Sequence, residues 1–331
     1  MTGNTFPAFR IRNDDAGYRA GIEQIALDAL TPGDTLIAVH YSSVNYKDAL
    51  AGTGQGKILR RFPLNGGIDC AGLVVESADP TLKPGDAVLV TGSGLSETQD
   101  GGYSRFVRTD ARHVIRLPDG WSPREAMILG TAGFTAGLAL LRMQENRQQP
   151  ELGPIAVTGA TGGVGMLATV LFANAGYAVH AVSGKPEHAA LLRSLGATEV
   201  LARDAFLTGR PMDSVRFGGA LDNVGGATLA ALLAQTAPYG NVASCGLVAS
   251  AELPASVMPF IIRGVSLLGI ASAGTARPIR ERVWALLAHH FDTETLAGLP
   301  VRETGMDGLP AVFERMLAGA SFGRTVVRIA H

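Results

Sequence analysis

A glycine-rich turn at residues 155–165 is the segment whose residue types and spacing best suit a chemical role. It runs Ile-Ala-Val-Thr-Gly-Ala-Thr-Gly-Gly-Val-Gly, an apolar strand, a turn and the start of a helix in that order. Gly162 allows a phosphate to approach the backbone, Gly165 permits close helix-strand packing, and the helix N-terminus offers free amide donors. The pattern predicts a dinucleotide with its pyrophosphate at this turn; the alternative is a tight turn without a ligand.

The residues after the next predicted strand indicate which dinucleotide would bind. About 20 residues beyond the turn, NAD enzymes place an Asp or Glu for the ribose hydroxyl, whereas this chain has Ser183, Gly184 and Lys185. A hydroxyl and a cation suit a 2′-phosphate, and Arg203 after the following strand could close the same pocket. These residues predict NADPH rather than NADH, unless Lys185 and Arg203 are solvated surface charges.

Short-chain dehydrogenases carry a similar glycine turn, but the rest of the chain argues against that class. Their turn lies near the N-terminus, whereas here it begins only at Ile155. They also use a Tyr-x-x-x-Lys acid, and neither Tyr177 nor Tyr239 is followed by a lysine at that spacing. The long segment before the turn therefore indicates a different class of dehydrogenase.

The elements around the turn predict two domains. Short β-rich segments up to about residue 127 suggest an antiparallel, barrel-like domain, and strands then alternate with helices as in βαβ units. The predicted strands are 35–41, 72–76, 87–91, 106–108, 155–158, 178–183, 199–202, 219–222, 241–245, 266–270 and 325–329, and the predicted helices are 163–175, 187–195, 279–290 and 309–318. We predict an α/β protein with a β-barrel catalytic domain at 1–126 and 264–331, to which the C-terminal strand returns, and a Rossmann doubly wound parallel-sheet domain at 127–263.

Composition excludes several classes of protein. Hydrophobic residues make up 47% of the chain and charged residues 17%, which predicts buried cores rather than disorder. With 28 basic and 29 acidic residues and no charge blocks, neither nucleic acid nor a membrane is an expected partner. The N-terminus lacks a signal-peptide core, the apolar window 166–182 is too short to span a bilayer, and the two cysteines, Cys70 and Cys245, are isolated. We expect a cytoplasmic protein with buried, inert thiols.

Motifs along nearly the whole chain resemble the medium-chain dehydrogenase/reductase superfamily. Besides the glycine turn, they are Val44-Asn-Tyr-Lys-Asp48, Gly67-Ile-Asp-Cys-Ala-Gly72, Lys83-Pro-Gly-Asp86, Gly101-Gly102-Tyr103, Gly130-Thr-Ala-Gly-Phe-Thr-Ala136 and Pro259-Phe-Ile-Ile-Arg-Gly264. The first, fifth and sixth look most like the quinone-oxidoreductase-like group, which contains NADPH-dependent acrylyl-CoA reductases. The resemblance implies a GroES-like β-barrel catalytic domain in addition to the Rossmann domain.

The same resemblance implies NADPH-dependent reduction of an activated carbon-carbon double bond, with the enoyl-CoA thioester acrylyl-CoA as the favoured small-molecule substrate. A quinone or free enone is the second choice, and an NADPH-binding protein without turnover is the third. A homodimer is expected because it is the commonest state of soluble oligomers.

Zinc alcohol dehydrogenases of this superfamily carry Gly-His-Glu where this chain has Gly67, Ile68 and Asp69, and a run of four cysteines that this sequence lacks. A catalytic zinc takes three protein ligands, and Asp69 beside Cys70 supplies only part of such a set. We therefore predict a zinc-independent enzyme with no metal site.

Without a metal, hydride attack on the β-carbon would build negative charge on the carbonyl oxygen, which then needs hydrogen-bond donors. Asn45 and Tyr46 are the candidates, and the resemblance implies that Tyr46 also contacts the nicotinamide end of NADPH. Asp69 is the third catalytic candidate; it could instead hold Lys47 or Asn45 in place, or be an ordinary turn carboxylate. Asp48 is expected to cap the following helix.

Further contacts follow from the resemblance alone. It places Thr161, Gly162, Gly163 and Val164 at the pyrophosphate, Leu247 and Ile261 beside the nicotinamide, and Ser272 near the domain junction. The apolar segments 258–262 and 265–270 could instead pack in the core or form a dimer interface. A CoA thioester would also need cations for its phosphates, for which the candidates are Lys57, Arg60, Arg61 and Arg324, unless these are simply solvated.

Overall fold

The computed structural model describes residues 5–329 and divides into two compact units. The first unit comprises Met1–Thr131, Ala273–Arg282 and Asp292–His331, and the second comprises Ala132–Ser272 and Val283–Phe291. The domain ranges predicted from sequence remain a prediction, because compactness alone does not define an independently folding domain. The outer ends of those ranges, residues 1–4 and 330–331, lie outside the described residues.

Helices and strands occur throughout the described chain. The strands are β1 Phe6–Asp14, β2 Gly17–Ile25, β3 Thr35–Ser43, β4 Leu64–Asn65, β5 Asp69–Ser77, β6 Ala87–Thr91, β7 Phe106–Thr109, β8 Ile115–Arg116, β9 Ile155–Thr158, β10 Val179–Val182, β11 Ala197–Leu201, β12 Gly219–Asp222, β13 Asn241–Ser244, β14 Ser266–Gly269, β15 Val301–Thr304 and β16 Arg324–Arg328. The helices are α1 Tyr46–Thr53, α2 Pro123–Glu145, α3 Gly163–Asn174, α4 Ala189–Ser194, α5 Gly226–Gln235, α6 Met258–Arg263, α7 Arg277–His290, α8 Thr293–Ala297 and α9 Leu309–Leu317.

The first unit is built on two β-sheets. The larger, seven-stranded sheet has the order β15-β16-β3-β5-β6-β8 with β7 also paired to β3, and the smaller one has the order β2-β1-β4. Neighbouring strands run antiparallel apart from β15 and β16. Alternate apolar side chains, such as Ile37 and Val39 of β3 and Val88 and Val90 of β6, point into one core. The antiparallel β-rich domain predicted from sequence is confirmed.

The C-terminal strand belongs to this first sheet. β16 pairs antiparallel with β3, so that Val326 lies opposite Ser43 and Val327 opposite Ser42. The C-terminal strand therefore belongs to the first unit, whereas Val283–Phe291 of the same tail belongs to the second, and the return of the whole tail to the first domain stays a prediction. The pairing also brings Arg324, at the start of β16, close in space to the residues that follow β3.

Helix α2 contains a break that was not predicted. Gly130 has φ 50° and ψ −150°, which is not a helical conformation, so the chain turns sharply inside the helix. α2 is also the one helix among the described residues that is long and apolar enough to cross a membrane by length and composition. Most of its apolar window is buried in the protein, which is typical of a core helix.

The second unit contains a parallel six-stranded sheet of the order β11-β10-β9-β12-β13-β14. Chain order runs outward from β9 in one direction to β11, and then from β12 in the other direction to β14. This is the Rossmann strand order, in which ligands bind beyond the carboxyl ends of the strands where the direction of winding reverses. The doubly wound sheet predicted from sequence is confirmed, and the glycine turn follows β9 at that reversal point.

Candidate functional site

The carboxylate of Asp69, at the start of β5, lies at the centre of a buried hydrogen-bond cluster in the first unit. Its Oδ2 accepts hydrogen bonds from Ser43 Oγ at 2.6 Å, Asn45 Nδ2 at 2.8 Å and the Thr131 backbone N–H at 2.9 Å. Its Oδ1 accepts one from Thr131 Oγ1 at 2.5 Å. Asp69 itself is fully buried. Both oxygens are therefore occupied, which is the arrangement expected of a carboxylate that holds its neighbours in place.

Gly130 makes this cluster possible. A Cβ at Gly130 would lie 2.7 Å from both Asp69 Oδ2 and Ser43 Oγ, which is too close for any side chain. The positive φ of Gly130 also favours glycine. The break in α2 thereby directs the Thr131 N–H at the carboxylate. Gly130 begins the motif Gly130–Ala136, which the sequence analysis used only as evidence of the family resemblance. The glycine could also have indicated a break in a helix at this position.

Asn45 and Asp48 fix the start of α1. Asn45 is the N-cap and forms a capping box with Asp48, which confirms the predicted capping role of Asp48. Asp48 Oδ2 accepts the Asn45 N–H at 2.8 Å, and Oδ1 accepts the Ile68 N–H at 2.8 Å. Asn45 Nδ2 also lies 3.2 Å from Asp48 Oδ2. The amide hydrogens of Asn45 thus face Asp69 and Asp48, so this side chain is turned toward the buried cluster.

Tyr46, the first residue of α1, has the opposite orientation. It is 44% exposed, the largest exposure in the segment that carries the predicted catalytic residues. Its neighbour Lys47 forms an ion pair with Glu97 at 2.6 Å, so the alternative that Asp69 holds Lys47 in place is wrong. Of the two predicted donors, the structure therefore turns Asn45 inward and Tyr46 outward.

Arg324 supplies the positive charge of the buried cluster. Nε donates to the Ile128 carbonyl at 2.8 Å, and Nη1 donates to the Val44 carbonyl at 3.1 Å and to Asn45 Oδ1 at 3.5 Å. The side chain is only 3% exposed, which corrects the expectation that Arg324 could meet the phosphates of a substrate. Burial lowers the pKa of Arg324, while the charges of Asp69 and Asp48 act in the opposite direction.

The electrostatics of the cluster follow from its burial. The pKa of Asp48 is raised to about 7, mainly by removal from water and then by the charge of Asp69, whereas the backbone N–H bonds of Ile68 and Asn45 act against the shift. Burial also raises the pKa of Tyr103 well above its usual value, and its hydroxyl donates to the Ser43 carbonyl at 3.0 Å. The cluster therefore holds acidic groups in a low-dielectric site under α1.

The glycine turn of the second unit is exposed at Gly162, whereas Asp69 of the first unit is fully buried. Gly162 is the N-cap of α3, and a Cβ there would have its nearest protein atom, the Gly159 carbonyl oxygen, at 3.3 Å. A Cβ at Gly165 would overlap that same oxygen, so Gly165 allows the helix to pack against the turn. The first amides of α3 have no intrahelical acceptor. The turn thus presents free donors at the edge of the sheet where a phosphate would lie.

Asp222, which sequence reasoning missed, fixes this turn from the neighbouring strand. It lies at the end of β12, is fully buried, and accepts a hydrogen bond from Thr158 Oγ1 at 2.7 Å. Its second oxygen accepts the Gly225 N–H at 2.7 Å. Burial raises the pKa of Asp222, and these hydrogen bonds oppose the shift. The sequence feature that could have revealed Asp222 is a carboxylate as the last residue of an apolar strand.

The residues predicted to bind a 2′-phosphate lie together. The Lys185 backbone N–H donates to Ser183 Oγ at 3.0 Å. A Cβ at Gly184 would overlap the guanidinium of Arg203, so this glycine allows Arg203 to lie against the turn after β10. Arg203 is exposed and the Ser183 side chain is buried. Ser183 and the Arg203 guanidinium thus lie at the same turn as the Lys185 backbone, and joint binding of a phosphate by the three side chains stays a prediction.

The residues assigned to the nicotinamide by resemblance are not packed in the core. Leu247 is 65% exposed and Ile261 is 77% exposed, while Ser272 is half-buried. Leu247 and Cys245 line a cavity of about 300 Å³ beyond the carboxyl end of β13. Burial raises the pKa of Cys245 to about 12, although its thiol is only partly buried by surface area. All the cofactor contacts stay predictions, namely those of Tyr46, Thr161, Gly162, Gly163, Val164, Ser183, Gly184, Lys185, Arg203, Leu247, Ile261 and Ser272.

Within residues 5–329, no three His, Cys, Asp or Glu side chains come together as a metal-binding group. Asp69 has both oxygens occupied by protein donors. Burial raises the pKa of the adjacent Cys70 thiol to about 12, which disfavours the thiolate that zinc requires.

Two family models match the chain. Residues 31–119 match the alcohol dehydrogenase GroES-like domain, and residues 163–289 match the zinc-binding dehydrogenase model. The first match lies in the antiparallel unit and the second begins at α3. The names describe the families, and the second does not state that this chain binds zinc.

Relatives that match nearly the whole chain indicate a narrower group than the family models do. Acrylyl-CoA reductase AcuI of Ruegeria pomeroyi is 42% identical over 321 residues, which cover 96% of this chain and 97% of that protein. Putative quinone oxidoreductase YhfP of Bacillus subtilis is 39% identical over 98% of this chain and 99% of that protein. A crystal structure of B. subtilis yhfP with NAD bound has a TM-score of 0.93 over 98% of this chain and 100% of that one, at 38% identity. The yhdH oxidoreductase of Salmonella enterica, crystallised with NADP, has a TM-score of 0.94 at 40% identity, over 98% and 100% of the two chains.

Proposed function

Because this chain belongs to the medium-chain dehydrogenase/reductase superfamily, in the group with acrylyl-CoA reductases and quinone oxidoreductases, we propose that it is an NADPH-dependent enoyl-thioester reductase. Its favoured substrate is acrylyl-CoA, which it reduces to propionyl-CoA. The observation that carries this proposal is the identity to AcuI along nearly the whole chain. Reduction of a quinone is the second candidate, favoured by the similarity to YhfP.

NADPH is the proposed cofactor because of the residues after β10. Ser183, Lys185 and Arg203 offer a hydroxyl and two cations, and no carboxylate stands where NAD enzymes bind the ribose hydroxyl. The S. enterica relative was crystallised with NADP and the B. subtilis relative with NAD, so the preference has to be measured for this chain. We expect a higher kcat/KM with NADPH than with NADH, and the reverse order would refute the assignment.

The proposed mechanism uses Tyr46 as the donor to the substrate carbonyl. When bound, NADPH supplies a hydride to the β-carbon of the double bond, and the π-electrons move onto the carbonyl oxygen. A hydrogen bond from the Tyr46 hydroxyl stabilises the charge on that oxygen, and the α-carbon then takes up a proton from solvent, which gives the saturated thioester and oxidised cofactor. Asn45 and Asp69 position Tyr46 and do not contact the substrate in this mechanism. Asp69 accepts a hydrogen bond from the Asn45 amide, and Asn45 caps the helix that begins with Tyr46.

The proposal includes activity without a metal. Hydrogen-bond donors can stabilise an enolate oxygen without a Lewis acid, and the buried Asp69 carboxylate is already fully engaged by protein donors. Enzyme dialysed against EDTA and then against metal-free buffer should keep its full rate. Loss of activity that zinc restores would contradict this part of the proposal.

We also propose a cytoplasmic homodimer with a small-molecule substrate and neither nucleic-acid nor membrane partners. β14 is an edge strand of the parallel sheet, and the adjacent α6 exposes Ile261 and Ile262 at 77% and 60%. An exposed edge next to apolar side chains is a typical surface for pairing with a second copy. Light scattering during size-exclusion chromatography should give twice the 34.4 kDa mass of the chain, and a monomer would refute this point.

One substrate panel separates the candidate functions. NADPH oxidation is measured with acrylyl-CoA, crotonyl-CoA and a small quinone as acceptors, and NADPH binding is measured separately by fluorescence. Preferred oxidation with acrylyl-CoA supports the proposal, and preferred oxidation with the quinone supports the second candidate. Tight NADPH binding without oxidation by any acceptor would indicate a binding protein instead.

A further inference from the structure

The loop between α1 and β4, residues 54–63, concentrates positive charge in the first unit. We call it the cationic loop. It reads Gly-Gln-Gly-Lys-Ile-Leu-Arg-Arg-Phe-Pro and holds three cations and no carboxylate, although the whole chain has 28 basic and 29 acidic residues. Lys57, Arg60 and Arg61 are all exposed. Such a local excess of one sign attracts an anionic ligand.

The backbone of the cationic loop is held in place while its charged side chains face outward. Gly54 ends α1 in the left-handed conformation with φ 73°. Leu59 is buried in the core of the unit, and the Arg60 N–H donates to the Glu97 carbonyl at 2.8 Å. The cations are therefore presented from a fixed support, which lowers the entropy lost when a ligand binds.

An ion-pair bridge ties the loop to the first turn of α1. Glu97 pairs with Lys47 at 2.6 Å through Oε2 and with Arg60 at 3.2 Å through Oε1. Lys47 is the residue after Tyr46, so the cationic loop lies beside the helix turn that carries the proposed donor. Within residues 5–329, no carboxylate lies in ion-pair distance of Lys57 or Arg61. These two cations remain available for an external anion.

Exposed aromatic rings border the same cations. Phe62 ends the charged run of the loop and is 37% exposed, and Tyr18 of β2 is 36% exposed. The two rings meet edge to face, with centroids 5.7 Å apart. A partly exposed ring next to cations is the combination that binds a phosphorylated purine nucleotide, since the base stacks while the cations meet the phosphates.

Resting on the proposed reduction, we propose that the cationic loop binds the phosphorylated adenine nucleotide of the thioester substrate. Lys57, Arg60 and Arg61 would meet the 3′-phosphate and the diphosphate of CoA, Phe62 would contact the adenine, and the pantetheine arm would lead back to the acyl group at Tyr46. This surface is separate from Ser183, Lys185 and Arg203 of the second unit, which are proposed to bind the phosphate of NADPH. Each unit would thus recognise a different phosphorylated adenosine.

The test compares two thioesters that share the acyl group. Acrylyl-CoA carries the nucleotide, and the acrylyl thioester of N-acetylcysteamine lacks it. The variant Lys57→Ala/Arg60→Ala/Arg61→Ala should raise the KM for acrylyl-CoA roughly tenfold or more, since each exposed charge contact with a phosphate contributes up to several-fold. Its kcat, its KM for the truncated ester and its KM for NADPH should stay within about twofold of the wild type. Phe62→Leu should raise only the KM for acrylyl-CoA, by roughly fivefold.

Arg112→Ala is the matched control. Arg112 belongs to the same unit, its side chain is as exposed as that of Arg60 at 74%, and it pairs with Asp110 at 2.9 Å. This variant should leave both thioesters unaffected. An equal rise in KM for acrylyl-CoA in the Arg112→Ala variant would overturn the proposal, because it would show an effect of overall charge rather than of the cationic loop.

Binding of free CoA, measured by calorimetry, separates failure of this proposal from failure of the proposed function. Wild-type protein that reduces neither thioester refutes the proposed function, whereas CoA binding lost in the triple variant still supports the nucleotide site. Wild-type protein that reduces both thioesters with the same KM, or a triple variant that binds CoA as tightly as the wild type, overturns the nucleotide site and leaves the reductase function standing.

Discussion

The buried cluster around Asp69 and the glycine turn after β9 differ in how their hydrogen-bonding groups are satisfied. In the cluster, the carboxylate accepts four hydrogen bonds and Arg324 supplies a buried positive charge. At the glycine turn, the first amides of α3 have no acceptor within the helix, and Gly162 is exposed although a Cβ there would lie 3.3 Å from the Gly159 carbonyl oxygen. The first arrangement is complete without a ligand, whereas the second is completed by one.

The two regions also share one structural feature, a buried aspartate. In each unit, a fully buried aspartate at a terminus of a strand accepts a hydrogen bond from the segment that carries the predicted functional residues: Asp69, the first residue of β5, accepts from Asn45 ahead of Tyr46, and Asp222, the last residue of β12, accepts from Thr158 ahead of the glycine turn. A buried carboxylate is costly unless its hydrogen bonds are satisfied, so it tolerates few alternative loop conformations. The inward-facing residues Asp69 and Asp222 thus hold their neighbours in place, whereas Tyr46 and Gly162 are exposed and are the residues proposed to meet the ligands.

Removal of the buried cation is expected to have the largest effect. Arg324→Met would remove a buried positive charge that interacts with Asp48 and Asp69, and it would remove the donor to the Ile128 and Val44 carbonyls. The free energy of unfolding should fall by about 3–5 kcal/mol. Urea denaturation measures it, with the exposed Arg112→Met as a control that should change it by less than about 0.5 kcal/mol. A loss below about 1 kcal/mol would show that the cluster does not depend on its internal charge balance.

Removal of the outward-facing hydroxyl should act on the rate and not on the fold. Tyr46→Phe removes the proposed donor to the enolate oxygen and should lower kcat roughly 100-fold. The Kd for NADPH and the melting temperature should stay close to those of the wild type. Tyr239→Phe, at a tyrosine of the second unit that is 76% exposed, serves as the control and should have no effect. A Tyr46→Phe enzyme with normal kcat would remove Tyr46 from the mechanism.

Two glycines of the same turn should respond differently to alanine. A Cβ at Gly165 overlaps the Gly159 carbonyl oxygen, so Gly165→Ala should cost about 1–3 kcal/mol of stability. At Gly162 the nearest protein atom would be 3.3 Å away, so Gly162→Ala should change stability by less than about 1 kcal/mol while weakening NADPH binding. Urea denaturation and NADPH fluorescence measure the pair. Normal NADPH affinity in Gly162→Ala would mean that no pyrophosphate lies there.

Much of the fold could be predicted because local patterns coincide with the elements. The predicted strands 87–91, 155–158 and 219–222 agree to the residue with β6, β9 and β12, all of them apolar runs bounded by turn signals. The hairpin of β1 and β2 was missed, because β2 is largely exposed and lacks apolar alternation. Helix α2 was missed because it contains several glycines, which have low helix propensity.

The candidate site could be predicted best where its residues are near one another in sequence, although the Asp69–Asn45 contact was among the alternatives considered. Ser183, Gly184 and Lys185 form one short segment, and Asn45, Tyr46 and Asp48 form another. The partners of Asp69 come from positions as distant as Ser43 and Thr131, and no local pattern indicates that they meet. Arg324 was expected at the surface because arginine is rarely buried, and only the pairing of β16 with β3 reveals its position.

The proposed 2′-phosphate pocket should show a moderate, cofactor-specific effect. Lys185→Ala removes one cation beside Ser183 and should raise the KM for NADPH roughly tenfold, while the KM for NADH stays within about twofold. Arg193→Ala, on α4 of the same unit, is the control and should leave both values unchanged. An equal rise for NADH and NADPH would mean that Lys185 acts on a part of the dinucleotide common to both.

The smallest expected effect is a pH dependence of the unfolding free energy, caused by Asp48 in the buried cluster around Asp69. The pKa of Asp48 is raised to about 7 in the folded protein, above its value of 3.8 in the unfolded chain. The folded state therefore holds a proton that the unfolded state has released, so the stabilising contribution is lost as pH rises through 7. Between pH 6 and 7.5, the unfolding free energy of the wild type should fall by on the order of 1 kcal/mol relative to Asp48→Asn. Taking this difference removes the titration of the histidines, whose lowered pKa values give the opposite trend. A constant difference across this range would mean that Asp48 is already ionised at pH 6, and that the cluster holds its charges as ions.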